Sequence, residues 1–363
     1  MFQRLLFILV LLFAALSAEA QTLHFLRQHD MDRWGIPAGN YSGICHIGGN
    51  RYALISDKQK ADGWQEVVIE FDATGDVSAM QYIGAHYGPQ SSASKSAGKA
   101  ARDAEGIVAV TSPSAEGKSV YTLFVSAESD QEILEMDSTG TATGRRLAVP
   151  EWCGPKAIFG NYGFEALAYD AARKEFWTTT EQGLRADVGK SSSADNPHPT
   201  LLRLLCFDDS LQLTGSYAYS TEAPQMKGPT RLYAFGVPEM TVINDTTLLV
   251  LEREVVVKPR YNGSYVHHQL FSVQPHLYNT CAQEAPLREQ PAEVFLPKRL
   301  VGTFTTRLQM SGHKDLANYE GMCLGPTLPD GRQTLLLVAD SQNRMGNRLF
   351  RLKDYIRVAI INP

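Results

Sequence analysis

The sequence predicts an all-β protein folded as a β-propeller, with six blades preferred and seven as the alternative. Three observations carry this expectation. Short runs of β-branched and aromatic residues follow one another, with turn-forming clusters between them. Helical periodicity is hard to find after residue 21. A small unit of sequence recurs five times, and repetition on this scale argues for a propeller over a sandwich or barrel.

Residues 1–20 read as a processed leader. Arg4 supplies the positive start and Leu5 to Leu16 are apolar throughout. Ala18-Glu19-Ala20 is a small-residue cleavage site that leaves Gln21 as the first mature residue. The apolar run of 12 residues is too short to span a hydrocarbon core comfortably. No later stretch approaches ~18 consecutive apolar residues. The expectation is an exported chain, periplasmic or extracellular, with no stable membrane insertion after cleavage and one propeller domain over 21–363.

The 363 residues carry 34 Lys+Arg against 39 Asp+Glu, a formal net charge of −5. Hydrophobic residues are 44% and charged residues 20%, which excludes wholesale disorder, collagen and coiled coil. A slightly acidic chain offers no electrostatic footprint for a phosphate backbone, so nucleic acid is not an expected partner. Export permits disulfides. Cys45, Cys153, Cys206, Cys281 and Cys323 are odd in number and widely spaced, and no C-x-x-C occurs. They read as small buried apolar residues with at most one bridge, and not as zinc ligands.

The strands come in order. The first are Tyr52-Ala53-Leu54-Ile55, Val67-Val68-Ile69-Glu70-Phe71 and Ser119-Val120-Tyr121-Thr122-Leu123-Phe124-Val125. Then come Glu175-Phe176-Trp177-Thr178-Thr179, Thr247-Leu248-Leu249-Val250-Leu251 and Thr334-Leu335-Leu336-Leu337-Val338. Turn clusters such as Asp72-Ala73-Thr74-Gly75, Asp137-Ser138-Thr139-Gly140 and Pro329-Asp330-Gly331 punctuate them. Leu23-His24-Phe25-Leu26 is expected to complete the last blade, beside Leu349–Leu352 or Ile356–Ile360, leaving no long open edge. Ser/Gly/Ala-rich stretches at 91–101 and 189–199 read as solvent-facing, mobile loops inside repeats.

Each recurring unit opens on a polar or acidic residue, a small residue and an apolar one, and closes on an acid after a β run. The openings are Ser42-Gly43-Ile44, Glu105-Gly106-Ile107, Glu165-Ala166-Leu167, Thr230-Arg231-Leu232 and Glu320-Gly321-Met322. The closings are Asp57, Glu128, Glu181, Glu252 and Asp340. The last step, from 230 to 320, is long enough to hide a degenerate copy, and this favours six blades.

Equivalent positions of a propeller converge on its axis. Carboxylates that meet there repel one another and take up protons or a counter-cation. Ca²⁺, which accepts six to eight oxygen ligands, suits such a funnel. The expected metal ligands are Asp57, Glu105, Glu181, Glu252 and Asp340. Glu165 and Glu320 are the candidate catalytic carboxylates, with one of them acting as base toward water. Arg231 and Arg253 are candidates to hold an anionic group, and His46 is a third candidate substrate contact. The competing reading pairs these acids with arginines as salt bridges between blades.

Three blocks carry a family resemblance. They are Gly163-Phe164-Glu165-Ala166-Leu167-Ala168-Tyr169-Asp170 with the following Thr179-Thr180-Glu181, Leu248–Glu254, and Asn318-Tyr319-Glu320-Gly321-Met322 with Gly325 to Ser341 after it. Taken in this order they resemble the phytase-like family of exported bacterial proteins, the "esterase-like activity of phytase" group. Ala166 departs from that family's glycine. The resemblance implies an ester or phosphoester hydrolase on a propeller scaffold, with a small-molecule ester or phosphoester as partner. There is no G-x-S-x-G elbow, no H-E-x-x-H and no G-x-G-x-x-G, so no serine-hydrolase, zinc-protease or dinucleotide fingerprint competes with this reading. The alternative from another class is a non-catalytic propeller that binds a ligand or protein at its funnel face.

Overall fold

The computed structural model describes residues 21–59, 63–88, 102–113, 119–283, 285–346 and 350–362. The leader at 1–20 and the serine-rich stretch at 91–101 lie outside the described residues.

Two strands near the start, β1 (Thr22–Phe25) and β2 (His29–Asp30), precede the first complete sheet. That sheet is β3 (Tyr41–Gly48), β4 (Arg51–Ser56), β5 (Gly63–Phe71) and β6 (Val77–Tyr87). The second is β7 (Ala104–Pro113), β8 (Ser119–Ala127), β9 (Ile133–Met136) and β10 (Ala142–Arg146). The third is β11 (Phe164–Asp170), β12 (Glu175–Thr180), β13 (Leu201–Phe207) and β14 (Leu213–Ser220). The fourth is β15 (Leu232–Asn244), β16 (Thr247–Val257), β17 (Ser264–Val273) and β18 (Arg299–Leu308). The fifth is β19 (Asn318–Thr327), β20 (Gln333–Asp340) and β21 (Tyr355–Asn362), completed on its outer edge by β1, while β2 also pairs with β21.

Each sheet is antiparallel. The first strands β3, β7, β11, β15 and β19 contact one another in a closed ring. The molecule is therefore a five-bladed propeller. This corrects the expectation of six blades. The long step that suggested a hidden copy is filled by an overlong fourth blade. β15 has 13 residues and β16 has 11, against 7 and 6 for β11 and β12. An irregular connection over 274–298, holding three short 3-10 turns, uses the remainder.

Every sheet is sandwiched between two others, so its strands are apolar on both faces. This is why runs such as Leu335-Leu336-Leu337-Val338 read as continuous rather than alternating. One apolar core lies at each of the five blade boundaries. Ile55, Trp64, Ile107 and Val125 join blades one and two, and Phe124, Phe164, Phe176 and Phe207 join two and three. Trp177, Leu204, Met240 and Val250 join three and four. Leu249, Leu251, Tyr319 and Leu337 join four and five. Ile44, Leu54, Leu336 and Val358 close five onto one.

The predicted closure by the N-terminal segment takes the second of its two forms. Leu23 pairs with Ile361 and Phe25 with Ala359. The Asp-x-Thr-Gly turns recur as a pair. Asp72 and Asp137 each accept the backbone N–H of the threonine two residues on at 2.8 Å, and Gly75 and Gly140 take φ of 86° and 81°. The 189–199 stretch, expected to be a solvent-facing loop, is largely exposed and is anchored at one residue. Ser192 is buried and exchanges hydrogen bonds of 2.7 and 3.1 Å with the Gln182 side chain. All five cysteines are buried and free, with no bridge.

Candidate functional site

The innermost strand of every blade carries one extra residue at the same place. In blade one the register steps from Tyr41↔Ser56 to Gly43↔Ile55, and in blade three from Phe164↔Thr180 to Ala166↔Thr179. In blade five it steps from Tyr319↔Ala339 to Gly321↔Val338. Blades two and four make the same step between Ala104 and Ile107 and between Gly236 and Glu239. A bulge of this kind bends the strand and re-aims a side chain. The bulges fall at Ser42, Glu105-Gly106, Glu165, Val237-Pro238 and Glu320. The opening acids of the repeat are thus bulge residues.

The glycine after the acid has a packing reason. A Cβ on Gly43 would lie 2.5 Å from the Glu105 carbonyl oxygen, and one on Gly106 would lie 2.4 Å from that of Glu165. The innermost strands approach too closely for any side chain there. Ser126 ties the same boundary. Its Oγ accepts from Gly106 N–H and donates to the Glu165 carbonyl, both at 2.9 Å.

The closing acids follow the residue paired just ahead of each bulge. By register they are Asp57, Glu128, Glu181, Glu254 and Asp340, so Glu254 and not Glu252 is the fourth-blade equivalent. The fourth-blade opening likewise lies at Val237, and not at the predicted Thr230-Arg231-Leu232.

A cavity of about 250 Å³ opens at this end of the ring. Seven carboxylates line it: Asp57, Asp103, Glu105, Glu128, Glu165, Glu181 and Glu320. Among the described residues only two cationic side chains do, Lys58 and Arg253. Carboxylate oxygens of Asp57, Asp103 and Glu105 come within 4.8 Å of one another, and so do those of Glu128, Glu165 and Glu181.

The two cations serve particular acids. Lys58 Nζ bonds to Asp57 and, at 3.2 Å, to Asp103. Arg253 Nη2 donates to Glu181, and Nη1 donates to Glu320 and, at 3.3 Å, to Asn318. Asn318 Nδ2 donates to the same Glu320 Oε1 at 2.8 Å. Glu128 is held by Gly163 N–H at 3.0 Å. Glu105 has no ion-pair or hydrogen-bond partner for its carboxylate among the described residues.

Burial dominates the proton equilibria. It pushes Asp57 up to about 7, with Lys58 opposing, and Glu128 up to about 8, with the Glu181 charge adding. It raises Glu105 and Glu165 well above the carboxylate range, reinforced by Glu128 and Glu181 respectively. Glu181 is raised by burial too, against the pull of Arg253.

Among the predicted residues, Asp57, Glu105, Glu165, Glu181, Glu320 and Arg253 meet in this cavity. The others do not. Asp340 is buried beside it, with both oxygens taken by Gln342. Glu252 faces blade three, where Tyr219 and Lys298 donate to it at 2.6 Å and Glu222 N–H at 2.8 Å. Arg231 is exposed and lies over the Tyr261 ring at 5.0 Å. His46 is exposed near the other mouth of the channel, its Nε2 2.7 Å from the Gly49 carbonyl. Asp340 keeps the closing register but is turned to Gln342, whereas Glu252, Arg231 and His46 sit one or more strand positions away from the bulge-centred register.

The sequence reading missed Lys58, Asp103 and Asn318. The last two occupy the same repeat position, directly ahead of Ala104 and Tyr319. Aligning the units on their bulges would have exposed both. Lys58 has no counterpart in the other blades.

Among solved structures, the chain is similar to streptogramin B lyase at 10% identity, covering 94% of this chain and 98% of that one, with a TM-score of 0.31. Sqt1 of Saccharomyces cerevisiae is similar at 7% identity, 94% and 73% coverage and a TM-score of 0.35. A protein from Lactobacillus plantarum is similar at 9% identity, 85% and 80% coverage and a TM-score of 0.34. Likenesses this distant carry no argument about chemistry. No curated protein matches the chain. The profile of the phytase-like family, described as "Esterase-like activity of phytase", matches residues 36–342. That span takes in four blades and the two inner strands of the fifth, together with all seven funnel carboxylates, and the chain belongs to the phytase-like family.

Proposed function

We propose that this chain is an exported hydrolase of ester or phosphoester substrates, working at the acidic funnel with a hard divalent cation, Ca²⁺, as cofactor. One observation carries the reading: among the described residues seven carboxylates share a cavity with two cationic side chains. Like charges brought this close need protons or a further cation. The donor set fits a hard cation, since it is all oxygen and partly unpaired. Glu165 is buried, yet no cationic side chain among the described residues pairs with it.

Glu128, Glu165 and Glu181 are the residues to hold the cation, because Lys58 pairs with two members of the Asp57 group whereas Arg253 pairs with Glu181 alone in this one. A bound divalent cation supplies polarisation of the substrate oxygen and stabilisation of the negative charge that develops on it. Glu320 is the base. Arg253 and Asn318 both donate to its Oε1, which leaves Oε2 to accept from a water. It takes a proton from the water whose oxygen bonds to the acyl or phosphoryl centre. Glu105, kept in its acid form by burial, returns a proton to the leaving oxygen as the ester bond breaks. Arg253 is committed to Glu181 and Glu320 and positions the base instead of gripping substrate.

The test is turnover of 4-nitrophenyl esters, lactones and 4-nitrophenyl phosphates by purified protein in Ca²⁺ and in EDTA, beside Glu320→Gln. Cleavage that needs Ca²⁺ and falls at least about a hundredfold in the variant is expected. Protein that binds Ca²⁺ and cleaves none of these is a binding propeller instead.

A further inference from the structure

The funnel is not acidic all round. Blade four has an apolar residue, Val237, where three other blades place a bulge acid, and it projects beyond the ring. β15 begins four residues ahead of Gly236, whereas the other innermost strands begin at, or one residue before, the equivalent position. This extension, with the end of β16 and neighbouring segments, builds an apolar wall of Leu232, Val255, Val257, Leu316, Met345 and Leu352 on the same cavity. Leu232 stands at the lip, 36% exposed. Leu232 extends the apolar lining of the cavity to its mouth, and an apolar ligand group laid along that lining fits it.

The geometry points to an uncharged carboxylic ester with an apolar acyl or aryl group as the substrate class, in place of a phosphate ester. This rests on the hydrolase reading. The apolar group lies along the blade-four wall, which sets the ester bond over the carboxylates of blades one, two, three and five. A phosphate monoester would bring its own negative charge to a cavity whose described lining has seven acids and two bases, whereas a neutral ester meets no such repulsion. Hydrolysis stays balanced: water's oxygen bonds to the acyl carbon, the acyl C–O bond breaks, and acid and alcohol leave.

The experiment compares 4-nitrophenyl acetate, butyrate, hexanoate and octanoate with 4-nitrophenyl phosphate, all with Ca²⁺. It uses the native protein, Leu232→Asp at the lip, and Leu277→Asp at an exposed apolar residue elsewhere. The expected result is kcat/KM rising about threefold per added methylene, falling about tenfold for octanoate in Leu232→Asp with little change for acetate, and unchanged in Leu277→Asp. A flat chain-length series, or phosphate preferred over every ester, overturns the proposal and leaves the hydrolase reading standing. If nothing is cleaved, the hydrolase reading fails, and calorimetry with decyltrimethylammonium against tetramethylammonium decides the wall. Binding at least tenfold tighter for the decyl ion, lost in Leu232→Asp, supports an apolar-tailed ligand. Equal binding overturns it.

Discussion

Arg253 of blade four donates to Glu320 of blade five, and it does so from a repeat position where every other blade has a residue no larger than threonine. Those residues are Ser56, Ala127, Thr180 and Ala339, each paired directly ahead of the bulge. The guanidinium also reaches Glu181 of blade three. One side chain therefore ties three blades at the axis.

Replacing Arg253 with Met is expected to destabilise the protein by ~3–5 kcal/mol, because two buried carboxylates lose their partner. Urea unfolding measures it. Adding Glu181→Gln to the variant should recover part of the loss. A cost below about 1 kcal/mol would mean the pairs are not what holds the axis together.

The metal-free protein should lose stability as pH rises. In the unfolded chain these carboxylates titrate near ~4. In the folded chain burial lifts Asp57 to about 7 and Glu128 to about 8. Between those limits the folded state holds more protons, so these groups' contribution is complete below the unfolded values and is lost as pH climbs through the folded ones. In EDTA, Tm is expected to drop by about 5 °C or more from pH 5 to pH 8.5. A Tm that is level or rises over this range contradicts the assignment.

Calcium should reverse that loss. Cation binding needs the carboxylates ionised, so the Tm gain from Ca²⁺ should grow from pH 5 to pH 8.5. Glu165→Gln and Glu128→Gln should each abolish most of it. Differential scanning fluorimetry suffices, and a gain that survives in both variants moves the ion elsewhere.

Lys58 is the ammonium that faces Asp57 and Asp103. Its conversion to Met should free that group for a second ion. Isothermal titration is expected to show stoichiometry rising from one Ca²⁺ to two. If it stays at one, the Asp57 group is no cation site.

The five thiols should be silent to a disulfide reagent in the native state and all react once the chain is denatured, since each is free and buried. Fewer than five after denaturation without reductant would reveal a bridge.

The repeat is legible because each unit must present the same bulge to the axis, and a bulge acid followed by glycine leaves a visible pattern at Glu105-Gly106 and Glu320-Gly321. The blade number is not legible by dividing lengths, because blade four spends its extra residues on longer strands and on the 274–298 connection. Glu252 looks like a closing acid because it ends the apolar run from Leu248. The pairing of Gly236 with Arg253 moves the true equivalent two residues on. Strand register depends on partners far away in the chain, and a single run of residues does not reveal it. The apolar wall is hidden for the same reason: Leu232, Leu316 and Leu352 lie in separate segments of the chain until the fold brings them together.

The pairing of β1 with β21 has a consequence for how the molecule is made. The first described strand hydrogen-bonds to the last described one, so the ring cannot be latched until β21 has been made. Its final step spans nearly the whole contour of the chain, which makes folding slow compared with a domain built from local hairpins. Until that moment two raw sheet edges stand open, and this is the interval in which a neighbouring copy could pair in place of β1.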